Sequence, residues 1–167
     1  MQSAERKIGI LTFQDSPNFG ANLQAYALQE VIQELGYNVE IINYYSPARK
    51  YPKQSKVNRI RSIVWSKTAK KLLVSKIRSR KTAEFKSRYL KLSAQRYETP
   101  EQLQFIDQRY NVIVVGSDQV WNSHNLNGDD SFWLPFINQA KGVSYAPSFG
   151  KAQLDKNELK KIKVYLK

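Results

Sequence analysis

The chain has 167 residues and a mass of 19.4 kDa, the size of one ordinary domain, which can bury a core without disulfides. It contains no Cys, and this excludes a disulfide scaffold and Cys-ligated zinc, haem or iron–sulfur sites. With 41% hydrophobic residues and a mean hydropathy of −0.57, it has the composition of a soluble globular protein.

The net charge of +13 belongs to one middle segment. Between Arg49 and Lys91 there are sixteen Lys and Arg residues and one acid, Glu84, which gives +15, whereas the remainder has eleven bases and thirteen acids, which gives −2. Apolar residues at helical spacing predict one or two amphipathic basic helices here, with a break near Ser79 or Lys81. Such a segment suits nucleic acid, an anionic membrane surface or an acidic glycan, or else it is a solvated face that shields the sheet.

The sequence contains no apolar run of the length that a membrane-spanning helix needs. Its opening, MQSAERKIGILTF, lacks the apolar stretch and small-residue cleavage site of a signal peptide. We therefore expect a non-secreted, cytoplasmic protein, with the basic segment as a possible contact to the inner face of the membrane.

A strand–helix–strand unit opens the chain. Residues 7–13, KIGILTF, form an apolar run that ends in a polar loop, as a strand does. From Ala21 apolar residues recur at spacings of three and four, which predicts a helix, and Gly36 is a suitable C-terminal stop. Residues 38–45, NVEIINYY, predict a second strand, so the unit is a βαβ crossover.

Further strands and helices follow the basic segment. Residues 97–110 predict a short helix with Thr99 as its N-cap and Pro100 at its first position. Residues 112–115, VIVV, predict a strand buried on both faces of a parallel sheet, and residues 142–146, GVSYA, predict a fourth strand. The pattern indicates an α/β fold with an open, mostly parallel, Rossmann-like sheet, flanking helices and a basic helical insert.

Three polar loops follow strands, where open α/β sheets bind their ligands. They are residues 15–22, DSPNFGAN, residues 116–122, GSDQVWN, and residues 146–150, APSFG. If the strands are parallel, these loops share one edge of the sheet. This convergence is the main physical argument for a binding site.

The first loop leads into a helix N-terminus, where free N–H groups and the helix dipole favour an anion. Gly20 allows close backbone approach, and Asn18 or Asn22 can cap the helix. The loop matches neither GxGxxG nor a Walker A sequence, so it indicates no class of nucleotide. An ordinary βα turn with an Asn cap explains the same residues.

The second loop places Ser117, Asp118 and Gln119 beside Trp121. Such polar groups suit sugar hydroxyls and an indole face suits the C–H patch of a sugar, while Asp118 can act as a general base if partial burial raises its pKa. Alternatively, the loop caps the next helix and Trp121 fills the core. We predict no metal site, because the single His, His124, lies in a polar stretch that is better explained as solvated surface.

Three blocks of sequence resemble the polysaccharide pyruvyl transferase family. They are KIGILTFQDSPNFGANLQAYALQEVIQELGYNVEIINYY, YNVIVVGSDQVWN and KGVSYAPSFG, in the family's order. The resemblance implies a glycosyltransferase-B-like fold, in which two Rossmann-like lobes face a cleft. It also implies transfer of the enolpyruvyl unit of phosphoenolpyruvate onto a sugar in exopolysaccharide biosynthesis, giving a pyruvate ketal and releasing phosphate. Phosphoenolpyruvate is the donor substrate, and no cofactor is implied.

Members of this family are commonly about twice as long. The resemblance therefore implies that residues 1–150, with the basic helical segment 49–95, form an N-terminal lobe, and that residues 151–167 begin a linker helix to a second lobe. The Arg and His residues expected to hold phosphoenolpyruvate belong to that second lobe, so none is assigned here. We expect this truncated chain to be inactive alone, and to need a second lobe in trans or a homodimer.

The resemblance implies that first-lobe residues line the acceptor side of the cleft, where a glycan or lipid-linked sugar binds. These substrate-binding candidates are Asn18, Gly20, Asn22, Gln24, Ser117, Gln119, Trp121, Asn122 and Ser148. Asp118 is the candidate catalytic acid or base. The rival hypothesis is a non-enzymatic binding module that uses basic helices in residues 49–91 on nucleic acid or an acidic polymer; under the leading hypothesis nucleic acid is not expected as a partner.

Overall fold

A five-stranded parallel sheet organises the chain in the computed structural model, which describes residues 6–47, 66–126 and 128–166, the side chains of 66–71 excepted. The strands are β1 Lys7–Leu11, β2 Asn38–Tyr44, β3 Leu92–Tyr97, β4 Val112–Asp118 and β5 Lys141–Pro147. Their order is β3-β2-β1-β4-β5, and every neighbouring pair is parallel. This is the Rossmann-like order, which reverses direction between β1 and β4.

Helices cover both faces of the sheet. They are α1 Phe19–Glu34, α2 Ser66–Tyr89, α3 Ser123–Leu126 and α4 Lys156–Tyr165, with 3-10 turns at Glu101–Ile106 and Ser131–Trp133. Helices α1 and α2 pack with Ile8, Ile10 and Ile41 on one face. The 3-10 turns and the segments around α3 and α4 pack on the other face, against residues such as Leu11 and Ile113. Within the described residues no helix is long and apolar enough to cross a membrane.

Local signals at both ends of α1 act as the sequence predicts. The Asn18 side chain accepts the N–H of Gly20 at 2.9 Å, so Asn18 is the N-cap and the helix begins two residues before Ala21. At the other end Gly36 has φ +85°, and its N–H bonds to the carbonyl of Gln33 at 2.9 Å. This is a Schellman-type ending, and it confirms Gly36 as the stop.

The prediction for the basic segment was partly wrong. Residues 48–65 lie outside the described part, but α2 is one continuous helix with no break near Ser79 or Lys81. The strand β3, which was not predicted, follows α2 at Leu92–Tyr97, so GVSYA belongs to the fifth strand and not the fourth. β3 reads LSAQRY and buries only Ser93 and Tyr97, because it is an edge strand paired with β2 alone. A strand with so few apolar positions gives no periodic signal.

The helix predicted over residues 97–110 is a short 3-10 helix of six residues, Glu101–Ile106. Pro100 occupies the N-cap position, and no side chain caps the turn, in contrast to the predicted cap at Thr99. Leu103 and Ile106 are fully buried, and their spacing of three residues suits the three-residue period of this helix type.

Helix α4 packs on the same body as the sheet. Asp155 and Glu158 form a capping box at its start, and the Ser123 hydroxyl donates to Glu158 at 2.8 Å. Ile162 and Tyr165 pack against the buried apolar residues on the face of the sheet that includes Leu11 and Ile113. There the Tyr165 ring stacks on Trp133, with 5.8 Å between the ring centroids. That residues 151–167 lead into a second lobe stays a prediction.

Candidate functional site

The three polar loops lie at the carboxyl ends of β1, β4 and β5, which are neighbours in the sheet. The N–H of Ser148 donates to the carbonyl of Asp118 at 2.9 Å, and the N–H of Trp121 donates to the carbonyl of Ser148 at 3.2 Å. The second and third loops are therefore joined through their backbones. Both stand beside the reversal of strand order between β1 and β4, where open α/β sheets form a crevice.

A closed ring of hydrogen bonds joins Thr12 and Gln24, which flank the first loop, to Ser117 of the second loop. The Gln24 amide donates to Thr12 Oγ1 at 2.9 Å, the Thr12 hydroxyl donates to the carbonyl of Ser117 at 2.9 Å, and the Ser117 hydroxyl donates to Gln24 Oε1 at 2.5 Å. Because these groups satisfy one another, Gln24 and Ser117 fix the geometry of the edge. Thr12 was missing from the predicted set, since its role depends on β1 and β4 being neighbours.

The first loop is held from within at the start of α1. Asn22 is 1% exposed, and its Nδ2 donates to the carbonyls of Ser16 at 3.0 Å and Asn18 at 2.8 Å. Its buried Oδ1 finds no donor among the described residues. Asn22 therefore shapes the loop from inside the helix, while Asn18 and Gly20 lie at its outer surface.

The second loop presents Asp118 in an unusual backbone conformation. Asp118 has φ +112° and a half-buried side chain whose Oδ1 accepts the N–H of Gln119 at 2.7 Å. Gln119 is exposed, and its Oε1 accepts from Asn122 Nδ2 at 3.0 Å. The edge formed by the three loops is called the rim here. The Asp118 carboxylate thus stands at the surface of the rim, with two side-chain amides in the turn that follows it.

Trp121 lies beneath this loop. It is 9% exposed, its indole N–H donates to the carbonyl of Phe132 at 3.0 Å, and its ring stacks on Trp133 with 4.5 Å between centroids and a 4° interplanar angle. Phe149 of the third loop packs against the same ring at 5.7 Å. The indole therefore packs among aromatic side chains, the arrangement expected of a core residue.

The third loop is shaped by Ser148 and Gly150. Ser148 is exposed, and its backbone makes the two bonds that tie it to the second loop. Gly150 has φ +67°, and a Cβ there would collide with the Gln119 amide and lie 2.8 Å from Asn122 Nδ2. Only glycine allows the backbone to pass so close to these side chains in this conformation.

The charge of the rim is carried by carboxylates. The three loops contain Asp15 and Asp118 and no Lys, Arg or His. Lys86 of α2 lies near Asp15: burial lowers the pKa of the Lys86 ammonium, and the Asp15 carboxylate partly offsets this. His124 is exposed on α3, and no group of three or more His, Asp or Glu residues in the described part could hold a metal ion.

An open groove of about 740 Å³ lies beside this rim on one face of the sheet. Its lining includes Trp133, Leu134, Gly142 and Tyr165, from the loop before β5, from β5 and from α4. Asn18, Asp118 and Ser148 are not part of it. These three residues consequently lie on an open edge and not in an enclosed pocket, whereas Trp121 lines the groove.

Comparison with known proteins adds the family. A family model for polysaccharide pyruvyl transferase matches residues 18–167, which is 150 of the 167 residues. None of the curated proteins compared with the chain matches it. The chain is also similar to a crystal structure of a bacteriophage T5 flap endonuclease in a pseudo-enzyme–product complex with DNA and metal ions, at 12% identity and a TM-score of 0.33.

That alignment covers 84% of this chain and 55% of the endonuclease chain, so the chain spans about half the length of that protein. A likeness this distant supports no argument about fold or function. The matched range contains most of the first of the three sequence blocks and all of the second and third. The chain belongs to the polysaccharide pyruvyl transferase family.

Proposed function

We propose that this chain is the acceptor-binding lobe of a protein that transfers the pyruvyl group of phosphoenolpyruvate to a sugar in cell-surface polysaccharide synthesis. The observation that carries the proposal is the backbone hydrogen bond that joins the second and third loops. The Ser148 nitrogen lies 2.9 Å from the carbonyl oxygen of Asp118, beside the point where the strand order reverses. This bond makes one continuous polar edge from segments that are distant in the sequence. Family membership supplies the reaction class.

The proposed reaction joins two hydroxyls of one sugar to C2 of phosphoenolpyruvate. The first hydroxyl loses its proton as its oxygen bonds to C2, and C3 of the enol takes up a proton and becomes a methyl group. The bond from C2 to the phosphate oxygen breaks, and the second hydroxyl bonds to C2 and releases its proton to the departing phosphate. The products are a cyclic pyruvate ketal and inorganic phosphate, and the two protons lost by the sugar balance those gained.

Asp118 is our candidate for the group that accepts a hydroxyl proton, since its half-buried carboxylate stands at the rim. Gln119, Asn122 and Ser148 supply hydrogen-bonding groups for the other hydroxyls. Asn18 and Gly20 extend the same edge along the start of α1. Trp121 supports the loop from below through its stack on Trp133.

The donor needs groups that these loops do not contain. Phosphoenolpyruvate carries a phosphate and a carboxylate, which proteins hold with Arg, Lys or protonated His. The three rim loops contain none of these, and the Gly20 N–H at the start of α1 is bonded to Asn18. We therefore propose that the donor-binding cations lie on a second, facing lobe, as in a glycosyltransferase-B-like arrangement, and that this chain does not turn over by itself.

Saturation-transfer NMR of the purified chain with methyl glycosides of glucose, galactose and mannose tests acceptor binding. We expect saturation transfer to at least one hexoside, reduced by Asp118→Asn and unchanged by Glu34→Gln, which alters an exposed carboxylate on α1. Absence of transfer to all three would contradict the acceptor role of the rim. Release of phosphate from phosphoenolpyruvate with a hexoside would contradict the proposed need for a second lobe.

A further inference from the structure

The part of α2 formed by residues 73–81, named the arm here, stands away from the body of the protein. Every side chain from residue 73 to residue 81 is exposed. Packing begins at Thr82, which is buried, and continues through Phe85 and Tyr89, whose rings contact Tyr26 of α1 at 5.9 and 5.8 Å. Among the described residues nothing covers the arm.

The arm projects from the same edge of the sheet as the candidate site. Gln29 of α1 fixes the last turn of α2, because its Nε2 donates to the carbonyl of Tyr89 at 3.1 Å and its Oε1 accepts the N–H of Lys91 at 2.7 Å. Helix α2 lies between two parallel strands, β2 and β3, so it runs from the carboxyl edge of the sheet back to the amino edge. The arm precedes the packed end of the helix and therefore lies towards the carboxyl edge.

The arm combines positive charge with exposed aliphatic side chains. It contains no acid, and its four cations, the arm cations, are Lys76, Arg78, Arg80 and Lys81. Its exposed aliphatic residues, the arm aliphatics, are Leu73, Val74 and Ile77, with exposures of 59%, 47% and 45%. Ile77 follows Val74 by three positions and Leu73 by four, so the three side chains share one helix face. Arg80 and Lys81 follow Ile77 by three and four positions and extend the same face.

We infer that the arm lies along the surface of an anionic lipid bilayer, with the arm aliphatics at the boundary of the acyl chains and the arm cations on lipid phosphates. Each cation near an anionic surface adds to the attraction, and the arm aliphatics, with the aliphatic stems of Arg80 and Lys81 beside them, supply apolar surface that the boundary between headgroups and acyl chains can bury. The proposal concerns docking only and stands independently of the transfer reaction.

Other occupants of the arm fit the same features less well. A nucleic acid offers phosphates to the cations but no apolar surface to three aliphatic side chains, and the arm contains no aromatic ring on which a base could stack. A second copy of the arm would bring four positive charges against four. An anionic bilayer complements both the charge and the aliphatic face.

The proposal is tested by sedimentation of the full chain with two kinds of vesicle. One contains phosphatidylcholine alone, and the other also contains about 30 mol % phosphatidylserine. We expect binding to the anionic vesicles at least ~10-fold stronger than to the neutral ones. Replacing the four arm cations by Gln should remove at least ~10-fold of that binding. The matched control replaces four other exposed lysines, Lys141, Lys156, Lys160 and Lys163, by Gln, with the same change in net charge.

The aliphatic face is tested separately with Leu73→Gln and Ile77→Gln together, which we expect to weaken binding about 5-fold and to leave helicity intact, since Gln is a good helix former. Val31→Gln with Leu159→Gln, at exposed aliphatic positions on α1 and α4, is the matched control. Equal binding to both kinds of vesicle, equal loss in test and control variants, or tighter binding to duplex DNA than to anionic vesicles would each overturn the proposal.

Discussion

The Ser117 hydroxyl and the Gln24 side chain meet at 2.5 Å, across the point where the order of the strands reverses. Ser117 directly follows the buried run of β4, and Gln24 lies in the second turn of α1, so the bond links segments 93 residues apart. Thr12 completes the ring through bonds to both partners. Asp118 follows Ser117 directly, and its position therefore depends on side chains that do not themselves face the rim.

Thr12→Val tests this ring with a substitution that keeps the shape of the side chain. It removes an acceptor from Gln24 Nε2 and a donor from the Ser117 carbonyl at a site that is 1% exposed. Leaving such groups without partners costs about 1–3 kcal/mol of the free energy of unfolding. Urea denaturation measures the change.

Thr82→Val is the control for that experiment. Thr82 is also buried, but its hydroxyl donates to the carbonyls of Arg78 and Ser79 within its own helix, α2. Those carbonyls belong to the helix, so we expect a loss below about 1 kcal/mol. Equal losses in the two variants would show that the ring around Thr12 contributes nothing specific.

Trp121→Ala tests whether this residue is part of the core. Removing a buried aromatic side chain costs about 3–5 kcal/mol, and here it also removes the stack on Trp133 and the bond to the Phe132 carbonyl. Phe105→Ala is the control, because Phe105 is 71% exposed and its loss should cost less than about 0.5 kcal/mol. A stable Trp121→Ala variant that has lost only sugar binding would instead favour the alternative role, in which the indole face contacts the C–H patch of a sugar.

Gly150→Ala tests the close passage between the second and third loops. Positive φ alone costs a non-glycine residue about 1–2 kcal/mol, and Gly36→Ala measures that cost where a Cβ meets nothing within 4 Å. At Gly150 the new Cβ must also displace Gln119 from Asn122. We expect the larger destabilisation there, with a shift of the Asn122 side-chain amide signals in NMR that Gly36→Ala does not produce.

Features encoded by neighbouring residues were predictable from the sequence. The continuous apolar run of residues 112–115 predicted a doubly buried strand, and three of its four residues are in fact buried. Asn18 and Gly36 were identified because a cap and a left-handed stop need only the adjacent turn of the helix. The shared edge of the three loops followed from the assumption of parallel strands, which the sheet confirms.

Features that depend on distant partners could not be predicted. Ser93 is buried because β2 lies beside it, and its hydroxyl accepts the N–H of Asn43 at 3.0 Å, fifty residues away. Whether Trp121 offers its ring to a sugar or fills the core depended on Trp133, whose ring stacks on it. Neither partner is visible in the local pattern, so the strand and the burial of the indole both required the structure.

Asp107 is expected to make stability depend on pH. It is 6% exposed, and its carboxylate accepts the N–H groups of Asn138, Gln139 and Ala140 at about 2.9 Å each, which fixes the loop before β5. Burial acts to raise the pKa of the Asp107 carboxyl, but the three N–H donors outweigh it and hold the pKa below the ordinary value. The charged form is therefore favoured in the folded state.

Because the unfolded chain binds this proton more readily, the stabilisation is complete above the ordinary pKa of Asp, about 3.9, and is lost as pH falls through the lower pKa of the folded state. Asp107→Asn should cost about 2 kcal/mol at pH 7 and lose less stability than the parent between about pH 5 and pH 3, measured by urea denaturation across that range. Glu98→Gln, at an exposed ion pair with Arg96, should change stability by less than about 0.5 kcal/mol. A parallel loss of stability with acid in the parent and in Asp107→Asn would show that other carboxyls, such as Glu158 with its own lowered pKa beside Lys151, account for the pH dependence.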